Sequence, residues 1–354
     1  IWDSTEKRLF LARDPFGIKP LYYYQDPEHF IFASELKAII TSSDVRGEIN
    51  VGALCDYFYY RYIPSPKSIW KDINKLPPAS TLVHQNGQTV IRQYWTPPPL
   101  QEGAVDEQQV LIQLDELLSE SIGMHQISDV SLGLLLSGGV DSSTIAFYMH
   151  KLGGSTTAFG IGFDVEDEWY NEMPDARMVA ELCSMELYEE IVHSDVWELL
   201  PQLMWFYDEP FSDGSMFPSY MVSQLARTHM KVALGGEGGD ELFAGYNRYF
   251  DVPHQVVPQS FLNQIRTSLG LAVTHKETVE YQRGMHPFFE QADLKGLFHP
   301  DLRDEIPDCG EWFLDKYYRA DLPDPKKWQL LDLMTILPEQ YLTKIDRASM
   351  AQSL

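Results

Sequence analysis

Leu134-Leu135-Leu136-Ser137-Gly138-Gly139-Val140-Asp141-Ser142-Ser143 decides the reading of this 354-residue chain. An apolar strand runs into small residues and then into a helix. The glycines let the backbone approach a phosphate, successive N–H groups converge at the helix N-terminus, and Ser137, Ser142 and Ser143 add hydroxyl donors. A pyrophosphate or polyphosphate fits such a cradle. A Walker-type loop would end in Gly-Lys-Ser/Thr; here the charged member is Asp141, an acid suited to a bridging Mg²⁺. The plainer alternative is a glycine-rich strand-turn-helix connection without a ligand.

A second junction of the same kind follows at Val232-Ala233-Leu234-Gly235-Gly236-Glu237-Gly238-Gly239-Asp240-Glu241-Leu242-Phe243-Ala244-Gly245-Tyr246. Four glycines flank Glu237, and Asp240-Glu241 opens a helix whose positive dipole end would stabilise carboxylates or a bound anion. Acidic helix caps beside a flexible turn would be the simpler account. A third candidate is Gly160-Ile161-Gly162-Phe163, where small residues at a strand end would leave room for an adenine ring against the Ile161 backbone, or would pack a buried strand closely. In an open α/β sheet ligands bind beyond the carboxyl ends of the strands, and the loops after Leu136 and Leu234 lie at two such ends.

Around these loops, strand patterns at Ser131–Leu136, Thr157–Phe163, Leu187–Val192 and Met230–Leu234 alternate with helical ones at Ser142–Leu152, Pro174–Met185, Val196–Phe206 and Met216–Thr228. That alternation predicts a doubly wound, mostly parallel α/β sheet. Ahead of it, Val110, Leu111, Leu114, Leu117, Leu118 and Ile122 recur at helical spacing over Glu107–Met124. Residues 1–96 read instead as short strands at Arg8–Ala12, Leu21–Tyr24, Phe30–Ser34, Thr81–His84 and Val90–Tyr94, with a short helix at Glu35–Ile40 and a hairpin turn at Asn86-Gly87. Thr96-Pro97-Pro98-Pro99-Leu100 can continue neither ladder nor helix, so the expected division is a β-rich domain over 1–96, a linker over 97–105 and the α/β domain over 106–354. After Tyr249 the pattern turns helical, at Phe261–Leu271, Thr278–Arg283, Gln291–Leu297 and Trp328–Ile336. Ile1-Trp2-Asp3 reads as the inside of a strand and Ser353-Leu354 as the inside of a helix, which gives the expectation of a piece of a longer protein.

Apolar residues at 44% and aromatics at 13% exclude general disorder, and no apolar run approaches the ~20 residues that would cross a bilayer. With 52 acidic against 27 basic residues the formal charge is -25, which repels phosphate backbones and anionic headgroups and makes nucleic acid and membrane surfaces poor partners. Anionic small molecules would have to be met by local cations, Mg²⁺ and backbone N–H groups. Cys55, Cys183 and Cys309 are widely spaced and fit reduced thiols in a cytosolic protein, with Cys55 a small buried residue in a helix. The ten histidines show no grouping that a catalytic Zn²⁺ would need. Arg13-Asp14 before Pro15-Phe16-Gly17 reads as a turn stapled by charge.

The Ser137 loop resembles the PP-loop of ATP-pyrophosphatases. Together with Asp208-Glu209-Pro210-Phe211-Ser212-Asp213, the Glu237 loop and Tyr341-Leu342-Thr343-Lys344-Ile345-Asp346-Arg347-Ala348-Ser349-Met350, it resembles bacterial-type, glutamine-hydrolysing asparagine synthases in order and spacing. Independently, Ala12-Arg13-Asp14-Pro15-Phe16-Gly17-Ile18-Lys19-Pro20-Leu21-Tyr22 and Phe32-Ala33-Ser34-Glu35-Leu36-Lys37-Ala38 resemble the last third of that family's class II, N-terminal-nucleophile glutaminase domain. The resemblance implies an adenine nucleotide alpha hydrolase-like domain that converts aspartate and ATP to β-aspartyl-adenylate and pyrophosphate. Ammonia drawn from glutamine would then attack and release AMP. Ser137, Gly138, Gly139, Asp141, Ser142 and Ser143 would hold the pyrophosphate; Leu136, Ile161, Gly235 and Gly236 match nucleotide contacts. Asp141 and Asp240 would support Mg²⁺, and Glu237 matches the position tied to adenylate formation. Lys344 and Arg347 are candidates for pyrophosphate or aspartate contacts, or for an ion pair to Asp346 at a surface or core edge. A cytoplasmic ligase and a homodimer are further family expectations.

The family's glutaminase nucleophile, an N-terminal cysteine, and its upstream glutamine-binding segments are not within this sequence, nor is the downstream basic segment used near the adenylate, so glutamine hydrolysis would need more chain. An amidotransferase of the same architecture acting on a different carboxylate would carry identical ATP loops, with the difference near Asp213–Pro218 and the Glu237 loop. A non-catalytic nucleotide-binding relative is disfavoured by the intact Asp141, Glu237 and Asp240. A tRNA-modifying relative is disfavoured by the acidic charge and by the lack of a zinc-binding cysteine cluster.

Overall fold

The computed structural model describes residues 1–42, 45, 47–98, 106–164, 171–250, 289, 291–306, 314–319 and 321–354. The helices predicted at Phe261–Leu271 and Thr278–Arg283 lie outside these residues, as do Cys309 and positions 99–105 of the predicted linker.

From the N-terminus come β1 (Trp2–Asp3), β2 (Arg8–Ala12), β3 (Tyr22–Gln25), β4 (Phe30–Ala33), α1 (Leu36–Ser42), α2 (Val51–Tyr60), β5 (Ile73–Lys75), β6 (Ser80–Gln85) and β7 (Gln88–Gln93). Next are α3 (Glu107–His125), β8 (Leu132–Leu135), α4 (Val140–Lys151), β9 (Thr157–Phe163), α5 (Met173–Leu182), β10 (Glu186–Val192), α6 (Leu200–Tyr207), α7 (Met216–Arg227), β11 (Val232–Leu234) and α8 (Gly239–Phe243). The last are α9 (Gln291–Leu297), α10 (Leu314–Tyr317), α11 (Lys326–Met334) and α12 (Leu342–Ala351), with a π-helical turn at Leu337–Tyr341 just before α12. These elements form two compact units. One comprises Ile1–Arg92, Glu209–Ser212 and Gly238–Tyr341, the other Gln93–Asp208, Asp213–Glu237 and Leu342–Leu354.

The second unit is built on a four-stranded sheet in the order β10-β9-β8-β11, parallel at every pairing. The chain steps outward from β8 through β9 to β10 and then returns to the other side of β8, so β8 and β11 flank the point where the winding reverses. Leu134, Ala158 and Phe159 are wholly buried in these strands, and Ala146, Met149, Ala176 and Ala180 face them from α4 and α5. Small helix residues let the helix backbones come close to the sheet. Two elements differ from the sequence reading for local reasons. The helix predicted over Val196–Phe206 is a 3₁₀ turn at Ser194–Leu199 followed by α6, because Pro201 favours a first helical turn and lacks the N–H that an interior position needs. The helix predicted to reach Met185 stops at Leu182, where Ser184 turns left-handed at φ 54° and the Met185 N–H closes back on the Ala180 carbonyl at 2.8 Å.

The first unit holds two antiparallel arrangements. β1-β2-β6-β7 form one sheet and β4-β3-β5 another. Asn86 and Gly87, both at positive φ (51° and 74°), make the two-residue turn between β6 and β7, the conformation whose twist matches a hairpin. The Arg13 side chain donates to the carbonyls of Lys19, Leu76 and Gly17, while Asp14 accepts the N–H groups of Ile18 and Lys19. The charges therefore staple the turn through its backbone. Cys55 is buried in α2, which Asn50 caps by accepting the Ala53 N–H at 3.1 Å, and it packs with Leu294 and Phe298.

A buried charge cluster ties this unit together. Lys75, 7% exposed, donates to the Ile63 carbonyl and pairs with Glu209 at 2.5 Å and Glu339 at 3.9 Å. Burial by itself lowers the pKa of the Lys75 ammonium, but Glu209, Tyr22 and Glu339 outweigh it and the net shift is upward. A raised lysine pKa stabilises the fold fully below the ordinary lysine value and loses that contribution only as pH climbs past it, so the cluster is intact at neutral pH. Lys75→Met, which leaves two buried carboxylates without their cation, is expected to cost about 3–5 kcal/mol in urea unfolding at pH 7. Adding Glu209→Gln should recover part of that loss; equal stability of Lys75→Met and wild type would contradict the assignment.

Candidate functional site

In the second unit the Ser137 loop leaves β8 and enters α4. Leu136 is buried, and its N–H donates to the Phe159 carbonyl at 2.8 Å, which extends the ladder to the loop's edge. Gly138 has φ +89°, and a Cβ built on it would lie 2.6 Å from the Ala176 nitrogen. Only glycine satisfies both conditions. Gly139 caps α4 without any side-chain hydrogen bond, and Asp141 stands in the first turn, at the positive end of the helix dipole.

The loop's hydroxyls are engaged within the loop itself. Ser142, 5% exposed, donates to the Gly139 carbonyl at 3.2 Å and accepts the Ser137 N–H at 3.3 Å; Ser143 donates to the Gly138 carbonyl at 3.2 Å. Their protons are committed to holding the loop's shape. The Ser137 hydroxyl, on an exposed residue, joins them: it accepts the Gly139 N–H at 3.2 Å and lies 3.1 Å from Ser142 Oγ.

The Glu237 loop leaves β11, the neighbour of β8. A Cβ on Gly236 would sit 3.0 Å from the Ser142 nitrogen and 3.1 Å from Asp141 Cβ, so the two glycine loops meet at the N-terminus of α4 with no space for a side chain. A Cβ on Gly235 would meet no atom within 4 Å. Open room thus lies beside the closest approach, as a ligand site requires. At β9 the close-packing account describes the glycines: Met173 fills the space beside Gly160 and Gly162, while Ile161 stays half-buried.

Glu237 is joined to Lys344 of α12 at 3.6 Å. Lys344 is buried, as are Asp346 and Arg347, so this segment does not form a surface ion-pair array. Its Nζ donates to Ser215 Oγ at 2.9 Å, and Ser215 donates through both N and Oγ to Asp213 Oδ1 at 2.9 and 2.6 Å. The hydroxyl of Tyr207 donates to the Lys344 carbonyl at 3.1 Å, and burial, with Asp213 and Glu237 adding to it, pushes its pKa well up. Asp213 and Lys344 were legible as candidates in the sequence. Ser215 lies within the Asp213–Pro218 stretch singled out in the sequence, though its link to Lys344 was not legible there, and Tyr207 had no motif of its own; the packing of α6, α7 and α12 brings both to Lys344.

The rest of the Glu237 motif belongs to the first unit. Asp240 lies in α8 with its carbonyl accepting the Gly245 N–H at 2.9 Å. Glu241 is 2% exposed, and its Oε1 is buried without a hydrogen-bond partner among the described residues. The sequence reading has the helix start stabilising both carboxylates. For Glu241 burial prevails over a five-residue helix and lifts its pKa to about 7. Asp332, wholly buried, is paired with Arg248 at 2.7 Å, and Arg248 stacks 3.8 Å over the Tyr246 ring. Asp141 and Asp240 thus fall in different units. Among the described residues no group of three or more His, Cys, Asp or Glu gathers to hold a metal.

A parallel sheet with two glycine loops meeting at its winding reversal defines a phosphate-binding α/β domain. The asparagine synthase family model matches residues 113–354 and the glutamine amidotransferase domain model residues 1–95. The chain belongs to the asparagine synthase family. Glutamine-hydrolysing asparagine synthetase 1 of Bacillus subtilis is 30% identical over 100% of this chain, and a putative asparagine synthetase 2 of Methanocaldococcus jannaschii is 31% identical over 99%. The chain spans 58% and 71% of those two proteins. An amidase of Penicillium rubens is 27% identical over 70% of this chain and 39% of its own length.

Two outcomes follow from this geometry. Gly138→Ala should lower stability by about 2 kcal/mol or more, whereas Gly235→Ala should leave the melting temperature unchanged yet weaken ATP binding; thermal melts and ATP titrations of both variants separate the roles. For Glu241, a raised carboxyl pKa stabilises the fold below the ordinary value and loses that contribution as pH rises through about 7. Between pH 5 and pH 8 wild type should lose up to about 3 kcal/mol relative to Glu241→Gln in urea unfolding, and parallel curves would contradict the shift.

Proposed function

We propose that the full protein makes L-asparagine from L-aspartate, ATP and ammonia, through a β-aspartyl-adenylate, with the ammonia released from glutamine by a glutaminase domain that ends within residues 1–96. Residues 106–354 would carry the synthetase domain. The observation that carries this reading is the pair of glycine loops meeting at the start of α4 with Glu237 beside them, held by Lys344. Family membership supports amidation as the chemistry.

A carboxylate resists attack by ammonia because its leaving group would be oxide, and adenylation replaces that with AMP. The first step needs donors where negative charge develops on the departing pyrophosphate. The N–H groups at the start of α4 supply them in a preorganised array, kept open by Gly138 and Gly139 and shaped by Ser142 and Ser143. Leu136, Ile161, Gly235 and Gly236 would border the nucleotide, with the room beside Gly235 available to it. Glu237, at the position tied to adenylate formation, would act in the first step, and as a carboxylate beside the loops it would also be able to accept a proton from the attacking ammonia in the second. Asp141 and Asp240 are the acids that would help hold Mg²⁺, which would neutralise phosphate charge.

The amidase of Penicillium rubens keeps a second reading in play, the same chemistry on a different carboxylate. With the protein expressed from its complete reading frame, pyrophosphate release is measured with Mg-ATP, L-aspartate and either ammonia or glutamine. Aspartate-dependent release with asparagine formed is expected, and Glu237→Ala should lower kcat by about 10²-fold or more. Release with another carboxylate but not with aspartate would select the second reading, and ATP binding without turnover would reject both.

A further inference from the structure

Gly245, in the turn after α8, is an exposed glycine that its own backbone does not demand. Its φ lies outside the left-handed region, unlike those of Gly138 (+89°) and Gly238 (+95°), and it sits at the surface rather than in a core. What distinguishes it is a close neighbour. A Cβ built on Gly245 would overlap Asp240 Oδ1 and would lie 2.8 Å from Asp240 Cγ and 3.1 Å from Asp240 Cα, and apart from its chain neighbours these are the three nearest atoms. Of the usual reasons for a glycine, close approach is the one that applies here, and the atoms approached belong to a single residue.

The local fold sets up this approach. α8 is five residues long and ends at Ala244, which turns left-handed at φ 56°. The N–H groups of Ala244 and, at 2.9 Å, of Gly245 both donate to the Asp240 carbonyl. The chain thereby folds back over the start of the helix, with the Asp240 main chain held by two bonds. What freedom remains to Asp240 is in χ1 and χ2, and its half-buried side chain rests against the bare Cα of Gly245. Rotation about χ2 alone would carry Oδ1 away from a methyl group at 245 but would leave Cγ 2.8 Å from it, closer than carbon atoms pack. Relief needs a change of χ1, for which only a few staggered wells exist. A methyl group at 245 would therefore move the carboxylate while leaving its charge intact, and the 3.1 Å approach to Cα asks the main chain to give by a few tenths of an ångström.

We infer that Gly245 is a positioning residue for Asp240: the lack of a side chain at 245 keeps the Asp240 carboxylate in its orientation at the start of α8. Both residues belong to the first unit. The consequence for the reaction rests on the proposed role of Asp240 toward Mg²⁺, and adds to it the residue that sets the direction of that carboxylate.

The test uses the protein from its complete reading frame in two arms. In the structural arm a ligand-free crystal structure of Gly245→Ala should show Asp240 in a different χ1 rotamer with α8 otherwise in place. Its melting temperature should stay within about 4 °C of wild type. If it falls further, adding Asp240→Ala should restore it, because the clashing atoms are gone; no restoration would overturn the inference. In the kinetic arm the free Mg²⁺ concentration that half-saturates aspartate-dependent pyrophosphate release with ammonia should rise about 10-fold in Gly245→Ala. The KM for aspartate should stay within about twofold. In an Asp240→Ala background Gly245→Ala should shift the Mg²⁺ requirement by less than about twofold, because the carboxylate it positions is absent. An Asp240 side chain that keeps its rotamer in Gly245→Ala would overturn the inference, as would a Mg²⁺ requirement that Asp240→Ala raises and Gly245→Ala does not. If neither variant changes the requirement, or wild type turns over no carboxylate, the reading of Asp240 fails on its own, and the structural arm then decides: a displaced carboxylate supports the positioning role and an unmoved one overturns it.

Discussion

The close approach of two loops at the start of α4 is the constraint from which most of the second unit can be understood. Gly236 comes so near the Ser142 nitrogen that a single Cβ would occupy the intervening space. Such an approach needs β8 and β11 side by side and parallel, which places both loops at carboxyl ends and at the reversal of winding. It also needs the small residues of α4 and α5 against the sheet, since bulkier ones would hold the helix away. The phosphate cradle is therefore a consequence of packing as much as of the loop's own residues.

Electrostatics within the two units differ from the charge of the chain as a whole. A protein with a formal charge of -25 buries Lys75, Lys344 and Arg347. Buried ammonium groups are costly unless acceptors surround them; Lys75 has two carboxylates and a carbonyl beside it, and Lys344 has a carboxylate and a hydroxyl. In the first unit the cluster around Lys75 joins the β-rich stretch to Glu209 and Glu339, residues separated from it by more than a hundred positions in the chain. In the second unit the ammonium of Lys344 is placed beside the carboxylate to which a reaction is attributed. Similar chemistry thus serves cohesion in one unit and placement in the other.

Glu237, Asp240 and Glu241 show how one short motif divides into different environments. Glu237 closes a segment of the second unit, while Asp240 and Glu241 begin a segment of the first. Glu241 is pushed toward the neutral acid by burial, and Glu237 has a cation beside it. Neighbouring acids with the same intrinsic chemistry are separated by their surroundings.

Much of this was legible in the sequence because it is local. Glycine-rich junctions after apolar strands, alternation of strand and helix, the Asn86-Gly87 turn and the buried Cys55 all rest on backbone geometry and periodicity within a few residues. Helix limits were less legible, since Pro201 and the left-handed Ser184 settle them by detail that periodicity does not carry. The hydrogen bonds of Ser142 and Ser143 were not legible for a similar reason: a hydroxyl in a loop can face a ligand or the loop itself, and the sequence does not choose. By itself the sequence determined where the glycine-rich junctions fall and which family they belong to, because those depend on residue type and spacing. The tertiary structure alone decided that Ser215 and Tyr207 hold Lys344, that Glu241 is buried and that Lys75 finds two acids, because burial and partnership depend on distances between segments remote in the chain.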